Sequence, residues 1–496
     1  MKLKPSDQLS RRDTLRGLDL VIKEGLTAEA MITLTGGTFL TALAVLLGAS
    51  NFQIGLIAAL PSLTNAFQIL AIRLMQRYNN RRAIAVVCNG LARLPLLLIG
   101  ALPLLFSQET TTASLIFLLF FHYFFGSVAG PSVNSWMKDL VPEKRLGNYF
   151  SRRNRMTQTL NVCLSLVLAL LLDYIEGLKG NWELITYAWM FLAGGGLGLI
   201  GTWLLSRTPE PRTYLPKQNL LQLYRKPFKD KNYRSFLMFH AAWSFSLSIA
   251  TPFITVFMLK ALSLNLSTII MAGIVSQIAG IMALKVWGKY ADRCSNKTVV
   301  RLAAPLLIIS LFAWPLADMA GIFSLKILIV ILINILSGIA NAGIGLSLTN
   351  IGMKLAPKNE SIVYLSAKSM VIAVISALGP IAGGILADLV SKTDISWTLN
   401  LAGHSVQLLH FDGIAILFLI AAVLSIFSLK ILQYVRERGE VSHGLAAAEI
   451  REGFKVAIKK GFSMENVASL IWAPVQRTQR MSKKWKNMVP EILKSN

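Results

Sequence analysis

Apolar residues in this chain fall in long blocks at about 27–48, 52–72, 83–106, 113–136, 156–176, 183–206, 233–258, 264–286, 299–319, 325–350, 364–389 and 411–432. A block of about twenty residues is what a helix needs to cross a hydrocarbon core of about 30 Å. Backbone groups in lipid must be satisfied within the segment, so each block is read as a helix. The pattern predicts an all-α membrane protein of twelve transmembrane helices.

Composition supports this over a soluble core. Of 496 residues 54% are hydrophobic and only 15% charged, where a soluble domain carries about a quarter charged. Mean hydropathy is +0.55. The net charge of +25 would suit a nucleic-acid partner, but its distribution excludes one. Twelve spans place both chain ends on one face. Forty-five of the 50 Lys and Arg residues lie on that face, and the other face has Lys179, Lys260, Lys326 and Lys392. Arg93 lies inside the third span. Basic residues gather on cytoplasmic loops, so both ends are expected in the cytoplasm of a bacterial inner (plasma) membrane. Cys88, Cys163 and Cys294 show no metal-type spacing, and no disulfide framework is expected. The first 26 residues are polar and mixed in charge, so no signal peptide is expected.

One offset, 215 residues, aligns the two halves. It sets LVPEKRLGNYFSRR (140–153) over LAPKNESIVYLSAK (355–368) and GPSVNS (130–135) over GLSLTN (345–350). It also sets LLLD (170–173) over ILAD (385–388), pairing Asp173 with Asp388. A shared offset without gaps is the mark of an internal repeat. The organisation is a tail at 1–26, a six-helix half at 27–206, a basic linker at 207–232, a second half at 233–435 and a tail at 436–496. In the last, residues 446–460 project as a basic amphipathic helix suited to anionic lipids.

After the eighth span the chain reads GKYADRCSNK (288–297). This resembles the signature of the major facilitator superfamily between the second and third helices of a half. The resemblance implies that Asp292 latches the cytoplasmic gate from beside a helix N-terminus, with Arg293 and Lys297 extending the network and Gly288 allowing close approach at a tight turn. The first-half counterpart, RLMQRYNNRR (73–82), keeps only the basic end, Arg81 and Arg82, so gating is expected to lean on the second copy. GASNFQIGLIAALP (48–61) and WMKDLVPEKRLGNYFSRRN (136–154) are similar to a little-characterised bacterial branch of that superfamily. ALGPIAGG (377–384) is read as small-residue helix packing.

Ionisable residues at membrane depth are costly and mark pathways or pairs. They are Glu29, Arg93, His122 and His240. The resemblance implies that spans one, four, seven and ten line a central cavity, which takes in Glu29, His122 and His240. Span ten adds Asn334, Gly338, Asn341 and Gly345 on one helix face, for a cavity or for close packing. Trp243, Phe239 and Phe253 are placed to stack on a solute or to pack. His122 is read as a solute contact or a structural hydrogen bond, Arg93 as a snorkelling or locally paired residue, and Glu29 and His240 as cavity or interfacial groups.

These features point to a secondary transporter of a small organic solute, working by alternating access and coupled to protons through Glu29 or His240. The offset sets Glu29 over Ser244, one turn from His240. No Walker loop, His-Glu-x-x-His motif or facing carboxylate pair is found, so no enzyme, cofactor or metal is expected. The alternatives are a receptor or scaffold of transporter fold, and a lipid flippase.

Overall fold

The computed structural model describes residues 5–6, 10–105, 108–141, 146–178, 181–212, 220–357, 360–390, 395–401, 404–411 and 413–437. The amphipathic tail at 446–460 lies outside these residues. Twelve helices, the first two interrupted, are long and apolar enough to cross a membrane. The first span is α1 (Arg11–Thr35) and α2 (Gly37–Leu46); the second is α3 (Asn51–Thr64), a 3-10 turn (Asn65–Phe67) and α4 (Gln68–Tyr78). Spans three to six are α5 (Arg81–Leu105), α6 (Gln108–Leu140), α7 (Leu146–Glu176) and α8 (Trp182–Arg207). A linker helix, α9 (Leu220–Lys229), precedes α10 (Lys231–Lys260), α11 (Leu266–Arg293), α12 (Asn296–Met319), α13 (Phe323–Leu355) and α14 (Ser361–Val390). The hairpin β1 (Ile395–Leu401) and β2 (His404–Phe411) leads to α15 (Gly413–Leu432). The hairpin is antiparallel, pairing Ile395 with Phe411 and Leu401 with His404. The hairpin and the linker helix α9 are the regular elements that the hydrophobic blocks do not predict.

The interruptions follow from the sequence. Gly37 sits at φ +57°, a left-handed conformation that costs glycine little, and it separates α1 from α2. Pro61 lies inside α3, where it offers no N–H to the Ile57 carbonyl and its ring crowds the preceding turn; α3 ends at Thr64 and the 3-10 turn follows. Asp230 caps α10, its side chain accepting from the amides of Asn232 and Tyr233.

Helices α1 to α8 pack among themselves, as do α10 to α15, giving two six-span halves. The halves meet along α3 with α14, α7 with α11, and α2 with α10. Large buried aromatics such as Tyr187, Phe191, Phe257 and Phe418 fill the cores. Large apolar side chains such as Phe117, Val167 and Trp189 are mostly exposed, as expected of a lipid-facing rim. The face holding the start of α1 and the end of α15 is here the terminal face, and the opposite one the far face.

Candidate functional site

A cavity of about 210 Å³ lies where the first span breaks, between α1/α2 and α7 of the first half and α11 of the second. A helix break leaves the last carbonyls of one segment and the first amides of the next without helical partners, and Gly36 and Gly37 line the cavity. So do Thr33, Thr38, Asn161, Ser165 and Gln277. Asn161 donates through Nδ2 to Thr33 Oγ1 at 2.9 Å, and the Thr33 hydroxyl donates to the Glu29 carbonyl at 2.9 Å. No lining residue is ionisable. The cavity therefore offers hydroxyls, side-chain amides and backbone groups to a neutral ligand.

None of the residues singled out from the sequence lines this cavity. Glu29 is half-buried one turn from Thr33, and among the described residues its carboxylate makes no hydrogen bond or ion pair. His240 is half-buried against the Phe236 ring at 5.7 Å, and its buried Nδ1 has no hydrogen-bond partner among the described residues. No hydrogen bond or ion pair joins Glu29 to His240 among the described residues. His122 is buried, and its Nδ1 meets the Ala92 carbonyl at 2.7 Å, which is the structural hydrogen bond to a neighbouring helix. Arg93 pairs locally, Nη2 donating to Asn89 at 3.2 Å.

Trp243 does not face a cavity. It is 2% exposed in the packed core that also holds Phe239 and Phe253, against the Phe239 ring at 6.3 Å. The span-ten stripe divides. Gly338 packs on α11, since a Cβ there would lie 2.1 Å from the Ser276 carbonyl oxygen. Asn334 donates to the Val330 carbonyl of its own helix, while Asn341 is exposed and a Cβ on Gly345 would meet open space.

The gating signature needs more correction. Gly288 lies inside α11 rather than in a tight turn, and a Cβ there would touch nothing within 4 Å. Asp292 and Arg293 are exposed and no hydrogen bond or ion pair engages either among the described residues. Lys297 is buried and works within its own half: Nζ donates to the Gln433 and Val435 carbonyls, and its backbone amide donates to Glu437 at 2.8 Å. Asn296 and Lys354 also bind Glu437, at 2.7 and 3.1 Å.

The first half has the denser network. Arg81, 2% exposed, opens α5 and meets Glu210 through Nε at 3.1 Å. It also donates to Asp139, to Ser135 and to the Pro211 carbonyl. The Glu210 carboxylate takes the amides of Arg81 and Arg82 at 3.0 and 3.1 Å. A carboxylate at a helix N-terminus is favoured by the orphan amides and the dipole. Glu437 does the same for α12, so each half ends with a glutamate capping its own third helix. Nearby, Glu24 pairs with Arg153 at 3.3 Å within electrostatic reach of Arg93.

The sequence reading missed Thr33, Asn161, Ser165, Gln277, Glu24 and Glu210. The Gly36–Gly37 pair inside an apolar block was the available signal for the cavity, since interrupted spans mark transporter sites.

The family model of the Major Facilitator Superfamily matches residues 26–361. The chain belongs to this superfamily. No curated protein matches the sequence. Among solved structures, the nucleoside transporter NupG is similar with a TM-score of 0.61 at 14% identity, over 86% of this chain and 100% of that one. The D-xylose-proton symporter is similar at 0.62 and 14% identity, over 87% and 100%. A bacterial homologue of the human lysosomal transporter Spinster, inward-facing and unoccupied, is similar at 0.55 and 15% identity, over 92% and 100%. At these identities the likeness is one of fold, and this major facilitator shares the two-half arrangement.

Proposed function

We propose that this membrane transporter carries a small neutral polar solute by alternating access, with protons as the coupling ion, and that both chain ends lie in the cytoplasm of a bacterial inner membrane. The observation that carries the solute class is the cavity lining: hydroxyl, amide and exposed backbone groups at the interface of the halves, without an ionisable side chain. A charged solute entering it would lose hydration without a counter-ion. Two proteins of similar fold are named for a nucleoside and for D-xylose, solutes of this chemical kind. Glu29, whose carboxylate has no partner among the described residues and which lies one turn from Thr33, is the first choice for the proton carrier, and His240 the second. The one-sided distribution of Lys and Arg supports the orientation.

The test is uptake into proteoliposomes from a panel of neutral and charged solutes. A neutral hydroxylated solute should enter, faster under an inward proton gradient and not after a protonophore. Asn161→Ala should raise KM roughly tenfold, the loss of about one hydrogen bond. Glu29→Gln should remove the gradient dependence more than His240→Gln. Uptake of charged solutes only would overturn the solute class. Flux of no solute would favour a receptor or scaffold, and gradient dependence untouched by either substitution would overturn the proton assignment.

A further inference from the structure

We propose that Asp173 and Asp388 are paired latches of the far gate: positioning residues that hold the two halves together on that face and must let go for the cavity to open there. Asp173, near the end of α7 in the first half, accepts from the Leu266 amide at 3.0 Å and from the Ser267 amide at 3.1 Å. These are the first residues of α11 in the second half. Asp388, near the end of α14 in the second half, accepts from the Asn51 and Phe52 amides, both at 3.0 Å. These open α3 in the first half. The offset of 215 residues that relates Asp173 to Asp388 also relates Asn51 to Leu266. One contact is thus built twice, once in each direction across the interface.

The chemistry suits a reversible latch. First-turn amides have no acceptor within their helix, and a carboxylate that takes two of them gains charge-assisted hydrogen bonds at the positive end of the dipole. Helix starts are usually capped by their own flanking residue. The N-cap of α11, Asn265, makes no side-chain bond, which leaves the opening amides of α11 to Asp173. At α3, Ser50 takes only the Gln53 amide, at 3.2 Å, and the two amides before it go to Asp388. Both aspartates are only half-buried, so water can replace each partner when the gate parts.

The two latches sit on different seams. Beside Asp388 the backbones of α3 and α14 touch: a Cβ on Gly55 would lie 2.2 Å from the Pro380 carbonyl oxygen, and one on Gly384 2.6 Å from that of Asn51. The offset puts Ile270 and Ala169 in place of these glycines on the other seam, and there the cavity lies, lined by Asn161, Ser165 and Gln277. Asp388 therefore steadies a pivot, and Asp173 closes the cavity itself.

This rests on the alternating-access reading, but its test needs no solute. With Cys88, Cys163 and Cys294 changed to Ser, spin labels on Leu178→Cys and Lys260→Cys report the separation of the halves at the far face in liposomes. Asp173→Asn should shift the closed-to-open ratio toward open by about tenfold, the loss of roughly one charge-assisted hydrogen bond. Asp388→Asn should shift it less, and the double variant more than either. An unchanged distribution in the double variant would overturn the proposal, as would a larger effect from Asp388. A second variant separates the latch from any loss of folding. Asp173→Glu keeps the carboxylate and should retain part of the closed population that Asp173→Asn loses. A shift toward open as large as that of Asp173→Asn would count against the latch. Failure of these distance measurements leaves the solute class standing, and failure of the uptake panel leaves the latch standing.

Discussion

Removing the Arg81 guanidinium should destabilise the first half more than any other single substitution on the terminal face. Arg81→Met keeps length and apolar volume but deletes contacts to Glu210, Asp139, Ser135 and Pro211. Arg81 and Glu210 have side chains only 3% and 1% exposed, so water cannot replace the lost partner. Breaking a buried pair from one side costs about 3–5 kcal/mol. Glu210 keeps two backbone amides, which places the expectation at the lower end, about 3 kcal/mol. For a half of about two hundred residues this is roughly a 10 °C fall in melting temperature. Arg81→Lys should lose about half as much, because an ammonium cannot fork to two carboxylates at once. The assay is thermal unfolding of purified protein in detergent, followed by size exclusion. In the double variant with Glu210→Gln the costs should fall short of additive by about 1–3 kcal/mol, as for groups in contact. An Arg81→Met protein melting within about 2 °C of the parent would refute the reasoning.

Gly55→Ala should weaken the seam of α3 with α14, since backbone 2.2 Å from the added Cβ cannot give way cheaply; thermal unfolding should show a marked loss. Gly288→Ala should be neutral or slightly stabilising, by about 0.5–1 kcal/mol, since the site is open and helical; loss of transport would restore the signature's importance. Glu437→Gln should destabilise the second half by about 1–3 kcal/mol, the value of a buried charged acceptor, measured by the same unfolding assay.

The twelve spans were legible because lipid demands length and apolarity, and both are written in the sequence. Helix ends were less so. The polar stretch read as a tail at 1–26 contains the first four turns of α1, since a helix continues past the hydrocarbon without needing apolar residues. The aromatic side chain of Trp243 gave no sign of facing core, lipid or cavity, as all three accept it. Asn161 and Gln277 went unnoticed because they lie on spans five and eight, outside the four spans the resemblance assigns to the cavity, and an uncharged amide costs less at membrane depth than a charge. Arg81 was recognised only as the basic remnant of a signature. Its meaning depends on Glu210, which lies 129 residues away, and no local pattern joins them.

What the two halves keep in common differs from what they do not. The offset carries Asp173 onto Asp388 and Leu266 onto Asn51, and the contacts made by these pairs match almost atom for atom. At the cavity the match fails. Gly36 and Gly37 fall over Thr251 and Pro252, and α10 runs unbroken through Pro252 where the first span is interrupted. Asn161 falls over Ser376 and Thr33 over Ser248, so the hydrogen-bonded pair has no copy. The proposed latch makes the same contact in both directions, while the packing around it differs between the two seams. A small organic solute has no two-fold axis, and a lining that fits it must differ between the halves. Under the proposed mechanism the repeat persists at the latch contacts and is lost at the cavity, which is where mutations should change the choice of solute rather than the balance between states.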